Sequence, residues 1–266
     1  MKRFVLSAMP GPQGVVRLYE KDYHYLVRVR RLRAGELFDA ILPGGAERQI
    51  RVLSTVDNIL IGQCLDVPSA ELPPAKLPLA EKASIIPPIE LFQALPKGTK
   101  MDLIVRQAAE GGVSAVVPFE SEYSTAHLNA DSGRIQRWER IIREARQQSG
   151  SVTETVVRPV CGLDGLLDYW ASRQKEYPLS VGIVLHQEPL VKGSFHDYLC
   201  INPGFVALAV GPEGGFSPKE VSLFLAAGFR PICMGNTVLR TETAALYGTA
   251  ALRIILLENE SWTPKG

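Results

Sequence analysis

Leu208-Ala209-Val210-Gly211-Pro212-Glu213-Gly214-Gly215-Phe216-Ser217 is the stretch that decides the fold. An apolar run with strand character enters a glycine-rich turn, and the turn leads into a helix with a complete start signal. Ser217 can cap that helix and Pro218 suits its first position. Glu220, three residues after Ser217, completes a capping box. Gly228 supplies a left-handed stop. In parallel sheets, ligands bind beyond the carboxyl ends of strands, and glycines there let a ligand approach the backbone closely. The turn is not GxGxxG and lacks the Gly-Lys-Ser/Thr of a phosphate loop, which disfavours a dinucleotide or a triphosphate.

A second segment repeats the pattern. The short strand Arg230–Met234 is followed by Gly235-Asn236-Thr237-Val238-Leu239-Arg240-Thr241-Glu242-Thr243-Ala244-Ala245. Thr241 reads as an N-cap and Glu242 as a favourable first-turn acid. Arg240 is different. It is a cation beside the positive end of a helix, and a charge so placed calls for a functional partner.

Outward from these loops the pattern alternates. Strand-like runs are Glu81–Ile86, Ser114–Pro118, Ser180–Leu185, Val206–Val210 and Arg230–Met234. Helical runs are Lys100–Gly111, Arg134–Gln148, Leu163–Ser172, Pro218–Ala227 and Glu242–Leu257. Such alternation predicts an α/β domain with a parallel sheet covered by helices. Residues 1–70 read instead as a small β-barrel: Gly14–Leu18, Glu36–Leu42, Arg48–Leu53 and Ile59–Leu65, with a helix over Lys21–Arg31. Pro68, Pro73, Pro74 and Pro78 mark a semi-rigid linker, 71–78, between that domain and a second one over 79–266.

Composition narrows the function classes. The net charge is +1, so any contact with nucleic acid must rest on local basic patches. Cys64, Cys161, Cys200 and Cys233 form no CxxC pair, and the four histidines form no HxxxH or HExxH pattern, so no metal is expected. No apolar run approaches the ~18 residues of a membrane span. A cytoplasmic protein with reduced thiols is expected.

Two local basic features stand out. Arg28, Arg30, Arg31 and Arg33 form a dense cluster, with Tyr23, His24 and Tyr25 interleaved as candidates for stacking on unpaired bases. Arg134, Arg137, Arg140, Arg143 and Arg146 recur at every third position, a step that drifts around a helix as a spiral.

Gly211–Glu220 (GPEGGFSPKE), followed at this distance by Met234–Ala245 (MGNTVLRTETAA), resembles the C-terminal signature of the RsmE-type ribosomal RNA methyltransferases. The resemblance extends to His24–Glu36, to Lys97–Gly112 and to Glu144–Gly150, and so covers most of the chain in order. It implies a PUA-like barrel followed by a SPOUT domain, with a deep trefoil knot over about 206–257. The implied cofactor is S-adenosylmethionine, and the implied functional unit is a homodimer. The cofactor-binding residues it implies are Val210, Gly211, Pro212, Glu213, Gly214, Gly215, Met234, Gly235, Val238, Leu239, Arg240, Thr243 and Ala244.

The implied reaction is methylation of N3 of a uridine in 16S ribosomal RNA of the small subunit. Uridine N3 is a poor nucleophile until its proton leaves, so Arg240 and Glu242 become the candidate catalytic residues: Arg240 as a cation for developing charge, with Glu213 or Glu242 as the carboxylate for the proton. Arg28, Arg30, Arg31, Arg33 and Arg146 become the candidate RNA contacts. The sequence departs from the family twice: Tyr123 and Ser151 stand where it usually has arginine. The departures keep two alternatives open: a SPOUT enzyme acting on another RNA position, such as a ribose 2′-hydroxyl, and a non-catalytic RNA-binding or ribosome-assembly protein.

Overall fold

The computed structural model describes residues 3–43, 45–65, 86–124 and 132–258. Contacts divide the chain into two units, 1–83 with 146–154, and 84–145 with 155–266. The sequence-based boundary left 146–154 in the second domain; the structure packs it with the first unit. The linker read over 71–78 and most of the strand read over Glu81–Ile86 lie outside the described residues.

In the first unit, β1 (Phe4–Val5), β2 (Val15–Leu18), β3 (Leu37–Ile41), β4 (Glu47–Val56) and β5 (Ile59–Leu65) form one sheet in the order β1-β3-β4-β5-β2. Alternation drives it: on β4, Ile50 and Val52 are buried while Arg51 between them is exposed. Asp57 and Asn58, both at positive φ, turn β4 into β5, as a two-residue hairpin requires. The helix expected over Lys21–Arg31 is shorter and changes type. α1 (Glu20–Tyr23) passes into a π-helical stretch, His24–Val29, which the Arg30 N–H closes on the Tyr25 carbonyl at 2.9 Å. Tyr23 and Leu26 point into the core, and Tyr25 stacks on Phe4 at 6.2 Å. Tyr23 is therefore a core residue and not a base-stacking one; of the aromatic trio, His24 is the exposed member.

In the second unit the main sheet is parallel throughout. Its order is β12 (Arg230–Ile232), β10 (Ser180–Leu185), β11 (Phe205–Val210), β6 (Ile89–Ala94), β7 (Ala115–Glu120), β8 (Val156–Val157), with β9 (Cys161–Gly162) also on β7. The helices are α2 (Lys100–Glu110), α3 (Ser132–Ser149), α4 (Leu163–Glu176), α5 (Phe195–Leu199), α6 (Pro218–Ala226) and α7 (Thr241–Glu258). β11 is buried on both faces. Val206, Leu208 and Val210 join one core, and Phe205, Ala207 and Ala209 the other, which is why the strand reads as unbroken apolar sequence. From edge strand β12 the chain returns as α7 across β11 and β6. Gly248 permits this close crossing: a Cβ there would meet Leu208 Cδ2 at 2.7 Å.

The arginine spiral of α3 ends inside. Arg134, Arg137, Arg140 and Arg143 are exposed, whereas Arg146 is 9% exposed. Arg137 pairs with Asp102 at 2.6 Å.

The central strand Ile89–Ala94 is absent from the sequence reading, because two prolines precede it and Glu90 and Gln93 interrupt its apolar pattern. Tertiary partners compensate these polar groups. Glu90, 2% exposed, accepts a hydrogen bond from the Tyr169 hydroxyl at 2.8 Å and pairs with Arg173 at 3.1 Å. Burial still pushes the Glu90 carboxyl above the ordinary carboxylate range, against the pull of Tyr169 and Arg173. Burial, together with the neighbouring carboxylate, drives the Tyr169 phenol up to about 12. Arg173→Met, which leaves Glu90 buried without its cation, should cost about 3–5 kcal/mol in urea denaturation; a loss under ~1 kcal/mol would show that Tyr169 alone satisfies the carboxylate.

Candidate active site

Three strand ends converge on one cleft. β11 ends in the turn 211–215, β10 ends at Leu185-His186-Gln187, and β12 ends in the loop 233–240 that feeds α7. The cleft encloses about 750 Å³, counting the open solvent at its mouth. The turn holds its shape through the Gly215 N–H bonded to the Pro212 carbonyl at 3.0 Å, with Gly215 at φ +70°.

The capping box is present in full. The Ser217 hydroxyl accepts from the Glu220 N–H, and the Glu220 carboxylate accepts from the Ser217 N–H at 2.9 Å. This fixes where strand β11 hands over to α6, and with it the course of the turn between them.

Thr241 behaves differently from its expected capping role. The carbonyl of Arg240 accepts the first helical hydrogen bond, from the Ala244 N–H at 2.8 Å, so Arg240 occupies the cap and Thr241 is the first helical residue. The Thr241 hydroxyl is turned inward. It donates to the Gly211 carbonyl at 2.7 Å and accepts from Gln93 Nε2 at 3.0 Å. Thr241 is 4% exposed and Gln93 is fully buried, so the bond between them lies away from water, whereas the bond to Gly211, which lines the cleft, is part-buried. Gln93 is the register partner of Val210, and its Oε1 has no hydrogen-bond partner among the described residues.

The two carboxylates near the turn differ sharply. Glu213 accepts from the Lys97 N–H at 3.1 Å and from Lys100 Nζ at 2.5 Å. Partial burial opposes its ionisation, but those donors prevail and hold its carboxyl below the ordinary carboxylate range. Glu213 is therefore a latch between the turn and the segment leading into α2, and a poor proton acceptor. Glu242 has one buried oxygen, Oε2, with no hydrogen-bond donor; the Lys100 ammonium lies 3.9 Å from it.

Of the residues expected to hold a cofactor, Val210, Gly211, Pro212, Glu213, Gly214, Gly215, Met234, Gly235, Val238, Leu239 and Ala244 all line the cleft. Arg240 and Thr243 do not form its wall; Arg240 is exposed at the head of α7. Leu185, His186, Gln187, Phe216, Cys233, Thr237 and Thr241 also line it and were not anticipated. The signal for Leu185–Gln187 was available: a strand read over Ser180–Leu185 should contribute its carboxyl end to the same crevice.

Among the described residues that line the cleft, none is lysine or arginine; the wall offers backbone carbonyls and amides, apolar side chains, His186 and Glu213. In the first unit, Arg28, Arg31 and Arg33 are exposed, and Arg30 is half-buried with Nη1 unpartnered among the described residues. Arg146, expected at the RNA surface, is buried; desolvation pushes its guanidinium below the usual arginine range, against the attraction of Glu154. Among the described residues no helix is long and apolar enough to cross a membrane, and no group of three or more His, Cys, Asp or Glu side chains could hold a metal ion.

Comparison with known proteins places these features in a family. The RNA methyltransferase domain profile matches residues 84–253. The ribosomal RNA small subunit methyltransferase E of Synechocystis sp. is 29% identical over 264 residues, 96% of this chain and 78% of that protein. The Aquifex aeolicus protein of the same name is 33% identical over 171 residues, 60% of this chain and 67% of that protein. The crystal structure of the Neisseria gonorrhoeae protein of that name, bound to S-adenosyl methionine, superposes with a TM-score of 0.74 at 26% identity, covering 96% of this chain and 98% of that one.

Thr241→Val keeps the shape of the side chain and removes both hydrogen bonds. It should destabilise the second unit by about 1–3 kcal/mol, because the half-buried Gly211 carbonyl loses its donor and the buried Gln93 amide keeps only its bond to the Ala94 carbonyl. Chemical denaturation measures the loss, and an unchanged midpoint would show that the bridge contributes nothing.

Proposed function

We propose, since this chain belongs to the RNA methyltransferase domain family and within it to the ribosomal RNA small subunit methyltransferase E type, that it methylates N3 of a uridine in 16S ribosomal RNA of the small subunit. Its cofactor is S-adenosylmethionine. The observation that carries this reading is the cleft at the ends of β10, β11 and β12, built from the residues of both glycine-led loops. The cofactor would lie against Val210–Gly215, Met234-Gly235 and Val238-Leu239. When bound it supplies an electrophilic methyl group on a cationic sulfur.

The chain's own task is to position the base and to manage one proton and one developing negative charge. Glu213 is engaged by Lys97 and Lys100, so Glu242, whose Oε2 accepts no hydrogen bond, is assigned the N3 proton. The Lys100 ammonium lies 3.9 Å from that oxygen, beyond hydrogen-bond distance. Arg240, exposed beside that carboxylate in sequence and heading the same helix, is assigned the charge that spreads to O2 and O4.

The finer architecture belongs to the same proposal. The five-stranded first unit is a PUA-like RNA-binding barrel, with Arg28, Arg31 and Arg33 as phosphate contacts. The return of the chain from β12 as α7 across β11 and β6 closes a trefoil knot over about 206–257, a topology otherwise nearly absent from proteins. The protein works in the cytoplasm as a homodimer. α7 supports that assembly by exposing Leu246, Tyr247, Ile254 and Leu257, large apolar side chains on a helix that otherwise packs inward.

Labelled S-adenosylmethionine and small ribosomal subunits lacking the modification should yield a single 3-methyluridine by nucleoside mass spectrometry. A ribose-methylated product would move the activity to the 2′-hydroxyl alternative. Arg240→Ala should lower methyl transfer by roughly 100-fold or more while cofactor affinity changes far less; equal losses would remove its charge-stabilising role. In light scattering at micromolar concentration, the protein should run at twice the chain mass and Tyr247→Glu at the chain mass. A wild-type monomer would overturn the dimer.

A further inference from the structure

Tyr123 occupies a place that neither the cleft nor the core explains. It follows β7 on a short turn, Ser121–Ser124, and its side chain is 45% exposed. The residues on either side of it in the turn are held tightly. The Ser124 N–H bonds the Ser121 carbonyl at 2.9 Å, and the Ser121 N–H bonds the Ser124 hydroxyl at 3.2 Å. Ser121 and Ser124 are both buried.

The turn is also tied to the cofactor loop. Glu220, 4% exposed, accepts from the Ser121 hydroxyl at 3.1 Å and from the Glu122 N–H at 2.9 Å, while completing the capping box of α6. The Tyr123 side chain lies against Gly214: a Cβ on that glycine would meet Tyr123 Cβ at 3.0 Å and Cγ and Cδ2 at 3.5 Å. Gly214 lines the cleft, whereas Tyr123 does not. The chain thus holds a flat, half-exposed ring on a fixed backbone, immediately outside the turn that walls the cleft.

We infer that Tyr123 is the stacking platform for an unpaired base of the RNA substrate, presented beside the cofactor turn. The inference rests on the RNA methyltransferase reading above. A phenol ring offers a π face to any base and no charge to a phosphate, so its contribution is stacking and not counterion release. Pinning the turn through Glu220 fixes the backbone that carries Tyr123, so that part of the ordering cost of stacking is already met in the free protein. Glu220 is accordingly a positioning residue, and a Cβ at Gly214, 3.0 Å from the Tyr123 Cβ, would shift the tyrosine by a few tenths of an ångström.

The test uses the full-length protein with small ribosomal subunits lacking the modification. Filter binding and steady-state methyl transfer are measured at low and high salt, with S-adenosylmethionine affinity measured by calorimetry. Tyr123→Ala should raise KM for the subunit by roughly tenfold or more. The ratio to wild type should hold at both salt concentrations, with cofactor affinity unchanged. Tyr123→Phe should match wild type, and Tyr123→Arg should recover affinity at low salt only. Wild-type KM in Tyr123→Ala, or a loss of cofactor affinity matching the loss of RNA affinity, overturns the stacking role and leaves the methyltransferase reading intact. A wild-type protein that transfers no methyl group to the subunits overturns the reading itself, and this inference with it.

Discussion

The Thr241 hydroxyl is the point on which the catalytic unit depends. Its two hydrogen bonds join three elements far apart in sequence: the central strand β6 through Gln93, the turn after β11 through Gly211, and the first residue of the C-terminal helix. Gln93 is fully buried and Gly211 half-buried at the cleft wall, so the bond to Gln93 is the one whose loss leaves a polar group away from water. The cleft exists because this bridge holds the head of α7 against the turn.

Charge is distributed around that bridge with a division of labour. Glu213 and Glu242 flank the same lysine, but Glu213 receives the close contact and a backbone N–H as well, while Glu242 stays beyond hydrogen-bond distance with one oxygen unfilled. One carboxylate is spent on fixing the turn. The other keeps its lone pairs. Two similar acids at neighbouring loops thereby acquire different chemistry from their donors alone.

The sequence was legible where local rules govern and opaque where distant partners override them. The capping box at Ser217 and Glu220, the stop at Gly228 and the strand Ser180–Leu185 follow from neighbours within a few residues, and the structure contains them. Strand β6 was missed because Glu90 and Gln93 look unfit for a central strand until Tyr169, Arg173 and Thr241 are brought to them. Thr241 was read as a cap because a threonine before an apolar helix normally is one; its hydroxyl instead serves residues 30 and 148 positions away. The arginine spiral on α3 was correctly read as a drifting stripe, yet no local rule says which turn of the spiral goes inside, and it is Arg146 that is buried.

Glu220 shows how the two kinds of information combine. Read locally, it is the third residue of a capping box and nothing more. In the structure its two oxygens accept from Ser217, Ser121 and Glu122 together, so the group that starts α6 also anchors the turn after β7. A carboxylate satisfied by three donors is costly to replace with anything that cannot accept from all of them. The constraint then passes outward. Fixing the Ser121–Ser124 turn fixes the backbone from which the Tyr123 side chain lies against Gly214. A cap motif that appears to concern one helix therefore determines the rim of the cleft.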